Sequence, residues 1–368
     1  MPTRMRRLGA TLMLSAALAG VLAGCAAAGP AATPTPAGAT NDPAVPLADL
    51  AVLADPHAYS GQSTALLPDT AIAAIAPAQQ LPVTVTSHDL AGDMPVTVAS
   101  TDRILGLDIS GSIAATIYGL GLGDRVVGRD ISTTFAPAAG LPLVTSGGHT
   151  INSEAILALR PTVLVTDGTI GPIDVVLQLR EAGIPVVFVK STPSIEGVGE
   201  LARQVGAALG AAAAGEQLAT SLVAGIDAKV QEIAAIVPAG PPLRMLFLYL
   251  RGSSGIYYLF GEGSGADVLI DALGGTDVAK QIGLEGMRPM TDEAMVAANP
   301  DLILVMSDGL ASAGGLDALL QSKPAIGLTT AGQHHRFVDM ADGEVLSFGP
   351  RTAAVLDSLA RAIYAPGK

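Results

Sequence analysis

The residues best equipped for chemistry end an apolar, strand-like run, Arg244-Met-Leu-Phe-Leu-Tyr249-Leu-Arg251-Gly252. Alternate residues of a strand share a face, so Tyr249 and Arg251 point the same way at its C-terminal end. A guanidinium beside a phenol favours the phenolate, a hard oxygen donor of the kind that ligates haem iron. The same residues also fit a hydroxyl satisfied by hydrogen bonds beside an arginine in solvent. A second candidate is Thr145-Ser-Gly-Gly-His149-Thr-Ile-Asn-Ser-Glu154. There Gly147 and Gly148 permit an irregular loop, and Asn152 or Ser153 caps a helix that carries Glu154. His149 lies in the loop leading into that helix, and neutral imidazole is a common metal ligand. Such a histidine equally suits an exposed or structural hydrogen-bonding role. The remaining histidines offer less: His88 falls in a hairpin loop, His57 in a segment without clear period, and His334 and His335 at the start of a strand.

Other chemistries lack their residues. There is no G-x-S-x-G nucleophile elbow and no H-E-x-x-H, C-x-x-C or P-loop pattern. With 5 scattered histidines, a closed three-histidine zinc site is poorly supported. Gly261-Glu-Gly-Ser-Gly-Ala266 matches the dinucleotide fingerprint G-x-G-x-x-A, but it sits deep in the chain instead of opening the first unit. A tight turn into a helix N-terminus explains it better.

These side chains need elements to hold them. Around His88–Asp93 two period-two runs, Pro82-Val-Thr-Val-Thr and Pro95-Val-Thr-Val, predict a β-hairpin. Short β-branched runs then alternate with helical stretches: Ile104-Leu-Gly-Leu, Val126-Val, Val163-Leu-Val and Val186-Val-Phe-Val. This is the α/β pattern of a parallel sheet. The second half repeats the plan. Ser153-Glu-Ala-Ile-Leu-Ala-Leu-Arg-Pro161 precedes an apolar strand, as does Asp292-Glu-Ala-Met-Val-Ala-Ala-Asn-Pro300, so that Glu154 matches Glu293 and Pro161 matches Pro300. Two similar α/β lobes are expected. Between them Leu218, Leu222, Ile226, Val230 and Ile233 recur at helical spacing until Pro238. That suits one stiff helix joining the lobes, with a ligand in the cleft beyond the strands' carboxyl ends.

The N-terminus carries an address. Arg4, Arg6 and Arg7 precede an apolar run that closes on Leu22-Ala-Gly-Cys25, the pattern of an export signal. Residues 26–43 are small residues and proline, a flexible stalk. The chain therefore divides into a signal (1–24), a cysteine and flexible linker (25–45), a first lobe including an N-terminal extension and hairpin (46–211), a linking helix (212–240) and a second lobe (241–366). Length and composition agree: 368 residues suit about two domains. A single cysteine excludes a disulfide framework, and a net charge of −13 argues against nucleic acid as a partner. Beyond the N-terminus no run of about 18 apolar residues is free of charge and breakers.

Leu22-Ala-Gly-Cys25 resembles the bacterial lipobox, which implies acylation of Cys25 and anchoring to the outer face of the cytoplasmic membrane. With the repeated lobes and linking helix, the chain resembles the substrate-binding lipoproteins of ABC importers for iron compounds and cobalamin, whose fold is class III: two Rossmann-like lobes with mainly parallel sheets. Tyr249-Leu-Arg251-Gly, Tyr258-Leu-Phe-Gly-Glu-Gly-Ser-Gly-Ala-Asp267, Gly286-Met-Arg-Pro-Met290 and Leu346-Ser-Phe-Gly-Pro-Arg351 are similar to the haemin-binding branch. That resemblance implies a non-enzymatic receptor with haem as its transported ligand, His149 and Tyr249 as iron ligands and Arg251 supporting the tyrosine. Glu154 and Glu293 are implied to dock on a permease that works with its ATPase, and Arg129 and Arg288 are candidates for the propionates. Upstream haem-binding surface proteins are candidate donors. The alternatives are capture of a ferric siderophore or cobalamin on the same fold, a relay that never meets a permease, and, more distantly, a lipid-anchored enzyme. With aromatics at 3% and no Trp, porphyrin contacts are expected from Leu, Ile, Met and Val.

Overall fold

Short β-branched runs become central strands here because alternate residues find cover on both faces of each sheet. The computed structural model describes residues 43–69 and 72–367. The expected export signal, Cys25 and nearly all of the expected stalk lie outside them. The strands are β1 (Ser63–Ala65), β2 (Val83–Asp89), β3 (Gly92–Val98), β4 (Ile104–Leu107), β5 (Thr145–Ser146), β6 (Thr150–Ile151), β7 (Val163–Thr166), β8 (Val186–Phe188), β9 (Arg244–Arg251), β10 (Ile256–Phe260), β11 (Thr276–Asp277), β12 (Met287–Pro289), β13 (Leu302–Met306) and β14 (Phe337–Met340).

In the first half, β4, β7 and β8 form a parallel sheet. Ile104, Val163, Val165 and Val187 enter one core, while Leu105, Leu107, Leu164, Val186 and Phe188 enter the core on the opposite face. Gly106 lets the helix Ser112–Gly119 press onto the sheet: a Cβ there would lie 2.6 Å from the Ile117 side chain. The second half builds a seven-stranded sheet in the order β1-β14-β13-β9-β10-β12, with β11 on β9. Its β1, β14, β13, β9 and β11 run parallel, and β10 and β12 add an antiparallel edge. Met245, Phe247, Leu302 and Leu304 bury on one face and Leu246, Leu248, Ile303 and Val305 on the other.

The helix Ala212–Ile236 spans 25 residues, about 37 Å at 1.5 Å per residue. Leu218 and Ala219 belong to a first-half core, whereas Ile226, Ile233 and Ile236 belong to a second-half core. Bending this helix would disturb both cores. The described residues all lie in one compact unit, and no helix among them is long and apolar enough to cross a membrane.

Three local expectations need correction. The N-terminal extension does not all belong to the first lobe, because β1 pairs with β14 at the edge of the second sheet. His334 and His335 do not open a strand: they follow the short helix Thr330–Gln333, His335 has φ 51°, and β14 begins at Phe337. Val126-Val makes only a single bridge, from Val126 to Ile104.

Arg336 shows how the N-terminal extension is fastened. It is 1% exposed, and its Nη1 donates to Ser63 Oγ at 3.1 Å and its Nη2 to the Ile363 carbonyl at 2.6 Å. The guanidinium carbon lies 4.5 Å from the Tyr59 ring centroid. Burial pushes its pKa down to about 10, a cost of roughly 3 kcal/mol at neutral pH. Arg336→Ala removes that cost but leaves a large void and two acceptors without donors. A net loss of about 2–4 kcal/mol is expected from urea unfolding. An unchanged midpoint would show that the extension is held by something else.

Candidate functional site

The carboxyl ends of the parallel strands meet at one cavity of about 610 Å³. The first half contributes Ile109, just past β4, with Ile131, Ser132 and His149. The second contributes Tyr249 and Arg251 from the end of β9, Met306 from the end of β13, and Ala341–Glu344 just past β14. Ile109 and Ile131 are 50% and 42% exposed, an apolar wall with nothing of the protein laid over it. The two halves touch directly beside the cavity. Ser112 Oγ lies 3.3 Å from Ser347 Oγ, and a Cβ on Gly343 would approach the Ser132 carbonyl to 2.7 Å.

His149 sits at the tip of a hairpin. β5 and β6 pair Thr145 with Ile151 and Ser146 with Thr150, and Gly147 and Gly148 take φ of 55° and 92° to turn the chain. Sequence reasoning read this segment as an irregular loop. The following helix, Ser153–Leu159, is capped by Asn152, whose side chain accepts from the Ala155 amide. The imidazole is half-buried, and its Nδ1 is buried without a hydrogen-bond partner. Burial, and then the charge of Arg251, hold its pKa below the usual histidine range. At neutral pH it is therefore an uncharged ring with an unengaged nitrogen.

Tyr249 is clamped from its own half. Its ring stacks on Phe260 at 5.7 Å and 16°, and Phe260 stacks in turn on Phe247 at 5.2 Å. The Arg251 guanidinium carbon lies 4.7 Å from the Tyr249 centroid, so the two side chains do share a face. Arg251 is not a free cation: its Nη2 donates to Asp342 at 2.6 Å and its Nη1 to the Leu250 carbonyl at 2.9 Å. The Tyr249 hydroxyl makes no hydrogen bond to another described residue. His149, Tyr249 and Arg251, chosen separately from sequence, thus line one cavity from opposite halves.

The structure does not bring Arg129 and Arg288 there. Arg129 is folded back onto the carbonyls of Asp130 and Thr133, at 3.2 and 3.5 Å. Arg288 pairs with Leu259, whose side chain enters the core on the other face of the sheet from Phe247 and Tyr249. Glu154 and Glu293 are exposed in the first turns of Ser153–Leu159 and Asp292–Ala298. The fingerprint-like Gly261–Ala266 is a turn whose amides are already engaged, since the Asp267 carboxylate accepts from Gly263 and Gly265 at 2.9 and 3.0 Å.

Sequence reasoning missed the acids. Asp308, Asp342 and Glu344 line the cavity, and the signal for Asp342 was its place just past a strand's carboxyl end. Asp108 and Asp130 are fully buried behind the wall. Asp108 accepts from the amides of Ser110, Ser112 and Ile113, and Asp130 from those of Ser132 and Thr133. These bonds shape the loops that present Ile109 and Ile131. Burial pushes both carboxyls up to about 6, with Asp130 adding like-charge repulsion at Asp108. Among the described residues no group of three or more His, Cys, Asp or Glu is arranged to hold a bare metal ion.

The family pattern described as periplasmic binding protein matches residues 109–342, which include every residue that lines the cavity except Gly343 and Glu344. The chain belongs to the periplasmic binding protein family. Its fold matches the crystal structure of the heme binding protein HmuT with a TM-score of 0.76 and 38% identity, over 84% of this chain and 99% of that one. Solved variants of HmuT carry alanine in place of a histidine, a tyrosine or an arginine. Among curated relatives, the ABC transporter substrate-binding lipoprotein YvrC of Bacillus subtilis (strain 168) is 27% identical over 77% of this chain and 86% of its own length. A cobalamin-binding protein of Halobacterium salinarum is 27% identical over 76% of this chain and 74% of its own. This periplasmic binding protein is an extracytoplasmic substrate-binding protein of the class III α/β fold, a transport component and not an enzyme.

Proposed function

We infer that this periplasmic binding protein captures ferric haem between its lobes and delivers it to the permease and ATPase of an ABC importer, held at the outer face of the membrane by acylated Cys25. One observation carries the reading: an uncharged imidazole and a phenol, neither engaged by a hydrogen bond from its ring nitrogen Nδ1 or hydroxyl to another described residue, face a single cavity from opposite halves. Those are the two donors a ferric porphyrin accepts along its axis. Ile109, Ile131 and Met306 offer apolar contact to the macrocycle. The likeness to HmuT supports the same ligand.

Titration of haemin into the purified protein is expected to produce a shifted Soret band that saturates near equivalence. No shift at micromolar haemin would overturn the reading. Capture of cobalamin is the second reading, favoured by the name of the Halobacterium salinarum relative. The same titration with aquocobalamin separates the two, because a haem receptor should leave the corrin in the free fraction.

A further inference from the structure

Two short first-half segments meet the second half beside the cavity, and each is tied to one buried carboxylate. Ser112 touches Ser347, and a Cβ on Gly349 would lie 3.3 Å from the Ser112 side chain. The Ser132 carbonyl is wedged between Gly111 of its own half and Gly343 of the other, where a Cβ would approach it to 2.9 and 2.7 Å. Behind Ser112 stands Asp108. Its Oδ2 accepts from the Ser110 hydroxyl and the Ser112 amide at 2.7 and 2.9 Å, and its Oδ1 from the Ile113 amide at 2.9 Å. Behind Ser132 stands Asp130, whose Oδ1 accepts from the Ser132 and Thr133 amides, both at 2.8 Å. Among the described residues no cation pairs with either carboxylate. Asp130 Oδ2 differs from the other three oxygens, because its one donor is the Asp108 amide at 3.4 Å. Two carboxylates buried together without a cation repel, and one proton on the least engaged oxygen relieves them.

We propose that Asp108 and Asp130 form a proton-sharing pair that governs the seam between the halves: a proton on Asp130 Oδ2 draws the two first-half segments together against Ser347 and Gly343, and its loss lets them part. Burial pushes both carboxyls up to about 6, so the packed seam takes up a proton that a separated one does not. The seam therefore gains stability as pH falls through about 6 and loses it as pH rises. The neighbouring charges do not reverse this sign. Asp167, past β7, faces Asp108 as a further acid, also pushed up to about 6 by burial and by that charge. Arg129 is turned onto the Asp130 and Thr133 carbonyls. On the second half Glu344 is paired with Arg351 and Asp342 with Arg251. The device acts on closure itself, whatever cargo the cavity takes.

Amide hydrogen exchange of the ligand-free protein, corrected for the intrinsic pH dependence of exchange, reads the seam directly. Segments 108–113 and 130–133 are expected to be about tenfold better protected at about pH 5 than at about pH 7.5, the linkage of one carboxyl raised by about two units. Asp130→Asn keeps the Oδ1 acceptor and removes the charge, so its protection should stay high and nearly equal at both pH values. Gly343→Ala sets a methyl against the Ser132 carbonyl and holds the seam apart from the other side. In that variant 130–133 should fall at about pH 5 to the protection that the parent has at about pH 7.5. Equal protection of the parent at both pH values would overturn the proposal, as would a tenfold difference that survives in Asp130→Asn. A difference that survives in Gly343→Ala would confine the pair to the first half and overturn it too. No ligand enters these measurements, so a failed haemin titration sinks the haem reading and leaves this result standing.

Discussion

Tyr249→Phe is expected to weaken haemin binding by at least about a hundredfold, near 3 kcal/mol at 1.4 kcal/mol per decade. Loss of an outer partner of a metal ligand alone costs about 10–100-fold, and here the donor atom itself disappears. The substitution is clean because phenylalanine keeps the stack on Phe260 and the contact with Arg251. The phenolate-to-iron charge-transfer band should vanish with the affinity. His149→Ala should do less, roughly tenfold in affinity, while converting the iron to a lower coordination number. The asymmetry follows from how each ligand is held. Tyr249 would offer an anion to ferric iron from a ring fixed by its neighbours, whereas His149 offers a neutral nitrogen from the tip of a two-glycine hairpin. Spectra and equilibrium titrations of the two variants check this, and a Tyr249→Phe protein that binds haemin like the parent would remove the tyrosine from the ligand set.

The fold was legible wherever one local rule decided the outcome. The β2–β3 hairpin followed from period-two alternation, and the helix Ala212–Ile236 from Leu218, Leu222, Ile226 and Ile233 at helical spacing. Matched helices in the two halves share even their ends: Asn152 and Thr291 cap them, and Arg160 and Asn299 close them in the left-handed region before a proline. What escaped was decided by distant partners. Nothing near Ser63–Ala65 announces a strand, because its pairing partner lies at Val338–Met340. Of the two propionate candidates, Arg288 lies off the cavity for a related reason. Arg288 was chosen for its charge, but its register with Leu259 turns it to the other side of the sheet from Tyr249. In the site, His149, Tyr249 and Arg251 were legible because their types are chemically unusual at strand and loop ends. Asp342 was not, since an acid in an Asp-Gly turn is ordinary until Arg251 is seen beside it.

Reversing Glu154 and Glu293 together to lysine is expected to abolish haem uptake while leaving haemin affinity unchanged. Neither residue lines the cavity, and each is exposed in the first turn of its helix. There a carboxylate gains only about 0.3–1 kcal/mol from the helix dipole, so reversal leaves the fold intact. At a docked interface the balance differs, because placing like charges together costs several kcal/mol. Two contacts reversed at once would therefore lower docking by well over about a hundredfold. One turn beyond each acid an aliphatic side chain is also exposed, Leu157 at 45% and Val296 at 47%. Each half thus presents a carboxylate followed by an apolar contact at repeat-related positions, a two-point surface suited to a permease with matching basic and apolar sites on each of its halves. Uptake by cells that depend on haem as their iron source measures the effect, with haemin titration of the same variant as the control. Single reversals should each leave partial uptake, since the other contact still orients the pair. Full uptake by the double variant would mean that these helices do not face the permease.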